Sequence, residues 1–167
     1  MFSAREDSTA AVVRGVKRVA TQPIFTKLSR DTTDIVSIAR AAVEAGTHGL
    51  SVINTVLGMA IDVESFRPKL STLTGGLSGP AIRPIAVASV FQVAQAFPDV
   101  PIIGQGGVTC GEDVAEFLLA GARAVAVGTA NFVNPRASVE IVEGLRAYCR
   151  RKGIDDVAEL RTRLKLG

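Results

Sequence analysis

The chain has 167 residues, 47% of them hydrophobic, and a formal charge of +3, enough for one domain spanning residues 1–167 with its own core. No apolar run approaches the ~20 residues of a membrane span, and Met1-Phe2-Ser3-Ala4-Arg5-Glu6-Asp7 lacks the apolar centre of a signal peptide. Basic side chains gather near the ends (Arg146, Arg150, Arg151, Lys152, Arg161, Arg163 and Lys165) without interleaved aromatic residues, so neither nucleic acid nor membrane is an expected partner.

Thr9 to Ala20 reads as a helix with Ala11, Val12, Val16, Val19 and Ala20 as its apolar stripe. Gln22-Pro23 breaks it, and Ile24 to Leu28 follows as a strand. Ile35, Ile38, Ala39, Ala42 and Val43 then fall at helical spacing. Asp31 or Thr32 is placed to cap that helix and Gly46 to end it. Gly49-Leu50-Ser51-Val52-Ile53 is continuous and apolar, as buried parallel strands are.

A long connection runs from Asn54 to Gly79, within which Ile61-Asp62-Val63 and Pro68-Lys69-Leu70 can pair as a hairpin. Loops of that length in a compact domain are often functional. Pro84 suits the first turn of a helix carrying Ile85, Ala88, Phe91 and Val93. Strand Pro101–Gly104 precedes a capping box, Thr109-Cys110-Gly111-Glu112, and a helix with Val114, Phe117 and Leu118. Gly121 stops it. Strand Ala124–Val127 comes next. Asn134-Pro135 opens the last long helix, with Val139, Val142, Leu145 and Cys149, and a short polar helix follows from Asp155.

The order is one helix, then four βα units. That alternation means a parallel sheet with helices outside. The fold class is therefore α/β, of the TIM-barrel type. A full (β/α)8 barrel needs about 250 residues, so this chain amounts to about half of one, with a helix before the first strand. Such a half leaves two open sheet edges and one uncovered face, lined by Phe25, Val52, Ile102 and Val125 or their neighbours. It is expected to self-associate.

Two apolar strands run straight into glycine, at Gly104-Gln105-Gly106-Gly107 and at Gly128-Thr129. Glycine there leaves backbone N–H groups open to a close ligand. In barrels, the loops after the last two strands commonly hold phosphate. The same glycines would also serve plain tight turns. Gly75, Gly76 and Gly79 around Ser78 resemble a third piece of such a cradle.

Lys27 ends an apolar strand, where it either points into the site or snorkels to solvent. Asn54 and Thr55 stand at the next strand tip, where an amide and a hydroxyl can read a polar heterocycle or open an Asx-type turn. His48, at the other end of the sheet, reads as structural, and Cys110 as a small buried residue. Cys110 and Cys149 have neither disulfide nor metal spacing, so a reduced, cytoplasmic setting is expected. No metal site is expected.

Several stretches resemble class 1 dihydroorotate dehydrogenases. They are Phe25-Thr26-Lys27-Leu28-Ser29, Ile53 to Asp62, Thr74 to Ala86, Ile103-Gly104-Gln105-Gly106-Gly107-Val108 and Val127 to Phe132. The resemblance runs from Val12 to Leu160 and fits the C-terminal half of the barrel. The Gly128-Thr129-Ala130 ending is more similar to the NAD-linked subtype. The pyrimidine-reducing barrel of dihydropyrimidine dehydrogenase shares part of the pattern but not the Gly128-Thr129 pair. A non-catalytic half-barrel that binds FMN or phosphate is the alternative from another class.

The resemblance implies FMN-dependent oxidation of dihydroorotate to orotate in pyrimidine synthesis. It implies that Lys27 contacts the flavin ring and that Ile53 offers it backbone. Gly79, Gly106, Gly107, Gly128 and Thr129 would hold the phosphate through N–H groups, and Asn54 and Thr55 would bind orotate. It also implies a partner subunit with FAD and an iron–sulfur cluster. The family's catalytic cysteine base belongs to the N-terminal half, so no catalytic base is assigned among these residues. That half would act in trans. Arg30 and Asp31 stand where the family usually has proline and asparagine.

Overall fold

The computed structural model describes residues 5–166. The absence of a signal-peptide core was read partly from residues 1–4, which lie outside them. Helix α1 spans Glu6–Lys17. Its protein-facing side is Thr9 and Val13, while Val12, Val16 and Val19 are exposed. The expected stripe is therefore rotated, because α1 packs mainly on one neighbour, α2 (Ile35–Glu44), and buries only a narrow face. Between them lies β1 (Phe25–Leu28).

Helix α2 buries Ile35, Ile38, Ala39 and Ala42 of the stripe read from the sequence, while Val43, at its edge, is half-buried. Its cap is Asp34, which accepts from the Val36 N–H at 2.9 Å. Asp31 is used elsewhere, accepting from the Leu57 N–H at 3.1 Å. Strand β2 (Gly49–Val52) follows. Before it, His48 Nδ1 accepts from the Ile24 N–H at 2.9 Å, a structural role at the end of the sheet away from the strand tips.

The long connection holds four short strands: β3 (Val56–Gly58), β4 (Ile61–Asp62), β5 (Arg67–Pro68) and β6 (Gly75–Leu77). The expected hairpin is present, pairing Ile61 with Pro68 and Asp62 with Arg67. A second antiparallel pair, β3 with β6, closes the base of the excursion. A 3-10 turn at Pro80–Ile82 leads into α3 (Arg83–Ala96). That helix buries Ala86, Ser89, Val90 and Val93, whereas Ile85 and Ala88 of the expected set are exposed and Phe91 is half-buried.

Then come β7 (Ile102–Gln105), α4 (Gly111–Leu119), β8 (Ala124–Ala126), α5 (Ala130–Val133) and α6 (Ala137–Lys152). Helix α6 faces inward with Ala137, Ile141 and Cys149, and Val139 and Val142 are exposed. A closing 3-10 turn spans Val157–Thr162 and buries Leu160. Among the described residues, no helix is long and apolar enough to cross a membrane.

The main sheet is parallel, in the order β1-β2-β7-β8. Its helix-covered face carries the core: Leu28, Leu50, Val52 and Ile102 are each 0–1% exposed. Gly104 faces the same way, since a Cβ there would meet Phe117 at 2.7 Å and Ala122 at 3.2 Å. Alternation then puts Phe25, Lys27, Ser51, Ile103 and Gln105 on the opposite face. Phe25 and Lys27 are exposed there, and the other three are half-buried. The uncovered face is therefore not lined by Val52 and Ile102 as expected; of the four residues named, only Phe25 is exposed on it. A four-stranded parallel sheet with helices on one side is the architecture of half a TIM barrel.

Helices α4 and α6 cross at Gly111, where a Cβ would run into the backbone of Gly144 and Leu145. Backbone contact of that kind needs the missing side chain.

Candidate functional site

Every strand of a parallel sheet ends at the same side, so the loops after β1, β2, β7 and β8 converge. They enclose a cleft of about 510 Å³ lined by Lys27, Ile53, Thr55, Ser78, Gly79, Gln105, Gly106, Gly107, Thr109, Gly128 and Thr129, among others. Lys27, Ile53, Thr55, Gly79, Gly106, Gly107, Gly128 and Thr129 are there; Asn54 does not line it, nor do Gly75 and Gly76, which are taken up in pairing β6 with β3. The Asn54 N–H donates to the Leu28 carbonyl at 2.8 Å, extending the β1–β2 pairing past the strand end.

The glycines divide by physical reason. Gly107 has φ +75°, and a Cβ on it would lie 2.6 Å from the Gly79 carbonyl oxygen and 3.0 Å from the Arg83 Cβ. It is glycine because the turn is tight. At Gly128 a Cβ would meet no atom within 4 Å, and its φ is not left-handed. Neither packing nor backbone requires glycine there. A Cβ would simply occupy the cleft. Among the described residues, the N–H groups of Gly107, Gly128 and Thr129 have no acceptor in the protein. At Gly128 this is bare backbone facing open space, the arrangement that suits an anionic group.

Lys27 brings positive charge to this cleft and, among the described residues, forms no ion pair. Thr55 packs on Gly76, where a Cβ would run into its hydroxyl. Gln105, passed over in the sequence, joins the two central strand tips: its Nε2 donates to the Ile53 carbonyl at 2.9 Å. Its signal was the same as that of Lys27, a polar residue closing an apolar strand. The Val52–Ile53 peptide, beside it, is cis.

Beneath the glycine turn, Asp113 is 6% exposed. It takes the position expected of Glu112, and Cys110 rather than Thr109 caps α4. Burial alone would raise the Asp113 pKa. The Thr109 hydroxyl and N–H, with the Arg83 guanidinium, outweigh it and hold the carboxyl below its ordinary value. Cys110 itself is exposed, contrary to the sequence reading, because as a cap it sits at the surface end of the helix; Cys149 is buried and both thiols are free. Among the described residues, no cluster of His, Cys, Asp or Glu could hold a metal ion.

A family model described as dihydroorotate dehydrogenase matches residues 1–148. The chain belongs to the dihydroorotate dehydrogenase family. The catalytic subunit of dihydroorotate dehydrogenase B (NAD(+)) from Alkaliphilus metalliredigens is 55% identical over 150 residues, covering 90% of this chain and 49% of that protein. The protein of the same name from Geotalea daltonii is 49% identical over 166 residues, 99% of this chain and 54% of that one. That from Porphyromonas gingivalis is 53% identical over 154 residues, 92% and 50% respectively. The chain thus spans about half the length of the curated relatives it matches. Their shared name agrees with the NAD-linked reading of the Gly128-Thr129-Ala130 ending, and "catalytic subunit" in it implies a partner subunit for those dihydroorotate dehydrogenases.

Proposed function

We propose that this chain forms the flavin-phosphate side of a dihydroorotate dehydrogenase that oxidises dihydroorotate to orotate with FMN in pyrimidine synthesis. The observation that carries the reading is the bare backbone at Gly128, facing the same cleft as Lys27. Gly79, Gly106, Gly107, Gly128 and Thr129 would hold the FMN phosphate through backbone N–H groups. Ile53 would offer backbone to the flavin. Bound there, FMN supplies the acceptor for the hydride leaving dihydroorotate.

The protein's own part is to hold and to polarise. Lys27 sets a cation in a cleft whose one lining carboxylate, Glu140, is paired with Arg136, and that cation favours electron gain nearby. Thr55 and Asn54, at the β2 tip, are the substrate-side polar groups. Gln105 fixes the relative height of the β2 and β7 tips, so Thr55 and the Gly106-Gly107 turn keep one spacing. The base that takes the substrate proton belongs, on this reading, to the part of the relatives' length that this chain does not span. An electron-transfer subunit with FAD and an iron–sulfur cluster is the proposed partner: the "catalytic subunit" naming of the relatives supports a partner subunit, and the resemblance to the NAD-linked subtype suggests its cofactors. The free, exposed Cys110 thiol supports a reducing, cytoplasmic setting.

The test is complementation. The purified chain should not turn over dihydroorotate by itself. Mixing it with the N-terminal half of a related enzyme should produce orotate, and Lys27→Ala should then remove most of that activity. Fast flavin reduction by dihydroorotate with the purified chain alone would refute the reading.

A further inference from the structure

We propose that Asp113, steered by Arg83, is a positioning residue for the phosphate turn: its carboxylate sets the direction of the backbone from Gly106 to Cys110. This rests on the reading that the FMN phosphate lies at that turn and at Gly128. Gly106 and Gly107 have φ of +133° and +75°. Two successive glycines have the widest conformational freedom a chain can offer, so such a turn holds its shape only if something outside it does the holding.

Asp113 is placed to do so. Its Oδ2 accepts from the Thr109 N–H at 2.8 Å, the Thr109 hydroxyl at 2.8 Å and the Cys110 N–H at 3.1 Å. Two consecutive amides just past the glycines are thereby turned toward α4. Among the described residues, the Gly107 N–H is left without an acceptor. An ordinary helix cap needs one such bond; this one carries three and an ion pair from another helix.

The ion pair lessens the electrostatic cost of this arrangement. A lone carboxylate beneath an anion site would repel the anion. Here Arg83 Nη1 lies 2.6 Å from Asp113 Oδ1, and its Nε lies 3.2 Å from Glu116 Oε2. Arg83 also touches the turn itself, since a Gly107 Cβ would stand 3.0 Å from its Cβ. One guanidinium thus offsets much of the Asp113 charge, although it is shared with Glu116, and joins the start of α3, the glycine turn and α4.

The experiment compares FMN with riboflavin, which lacks the phosphate, by flavin fluorescence titration of the full chain. The parent protein should bind FMN more tightly. Asp113→Ala should cut the FMN-over-riboflavin preference about tenfold, the scale of one charge-assisted hydrogen bond, while riboflavin affinity moves less than about twofold, well inside one such bond. Asp113→Asn, which keeps an acceptor for the Thr109 and Cys110 amides, should retain most of the preference. Arg83→Gln should reduce it about threefold, part of one such bond, and serves if Asp113→Ala does not fold. A parent-like preference in folded Asp113→Ala, or in Arg83→Gln where the former is unfolded, overturns the proposal. So does an equal fall in both affinities. Equal binding of FMN and riboflavin by the parent would instead sink the phosphate reading on which it rests.

Discussion

Gln105 and Ile53 hold each other twice. The Ile53 N–H donates to the Gln105 carbonyl at 3.0 Å, and the Gln105 side chain donates back to the Ile53 carbonyl at 2.9 Å. The pair carries sheet-like bonding one residue past the end of β2, into the floor of the cleft. Gln105→Ala leaves a carbonyl of a residue only 2% exposed without its partner. We expect a loss of about 1–2 kcal/mol in urea unfolding and weaker flavin binding in the same preparation. Unchanged unfolding and unchanged binding would show the bond to be idle.

The two glycine turns should respond oppositely to substitution. Gly128→Leu adds a side chain in open space and should leave stability within about 0.5 kcal/mol, yet lower FMN affinity by about tenfold or more as the space a ligand needs is filled. Gly107→Ala should destabilise by about 1–3 kcal/mol, because φ there is left-handed and its Cβ would press on the Gly79 carbonyl. Thermal melts followed by circular dichroism, with flavin titrations beside them, separate the two effects.

Acid should weaken the fold partly through Asp113. Its pKa is lowered in the folded chain, so the folded state holds the proton less tightly than the unfolded one. The stabilisation is complete above the unfolded value of about 3.9. It fades as pH falls below that, through the folded-state value. Urea midpoints measured from pH 6 down to the acid limit, on parent and Asp113→Asn, should converge toward low pH. A constant difference across the series would remove Asp113 from the account.

The open face and the free edges of β1 and β8 should drive association at micromolar concentration. Phe25 is the exposed aromatic on that face, at 42%. Sedimentation should show dimers or larger species for the parent and a shift toward monomer for Phe25→Glu. A clean, folded parent monomer would count against the idea.

Much of this was legible before the fold was known, for reasons that differ by element. The α2 stripe was readable because Ile35, Ile38, Ala39 and Ala42 fall at helical spacing and Ser37, Arg40 and Glu44 mark the other side. Helix α3 is apolar nearly all round, so periodicity could not choose between Ile85 and Ala86 as the inward position. The β3–β6 pair was invisible: three residues per strand, two of them glycine in β6, carry no alternation. The strand-tip candidates Lys27, Thr55, Gly107 and Gly128 were readable because an abrupt polar or glycine residue ending an apolar run is itself the signal. Gln105 carried the same signal. The Asp34 cap was missed because Asp31 competes with it in sequence and only tertiary pairing with Leu57 resolves the choice.

The β3–β6 ladder separates the excursion from the cleft. Gly58 is paired with Gly75, and Thr55 is packed on Gly76, so the chain leaves and re-enters the site through a closed neck. Residues 59–74 beyond it are free to lengthen or shorten without moving Thr55 or Gly79. Doubling such a segment costs only about 0.6 kcal/mol in closure entropy. Length variation across this segment is therefore cheap for the protein, whereas a single-residue insertion at 53–55 or 78–79 is not: the neck makes this the place where one member of the lineage can diverge in size and surface from the next while the strand tips stay in register.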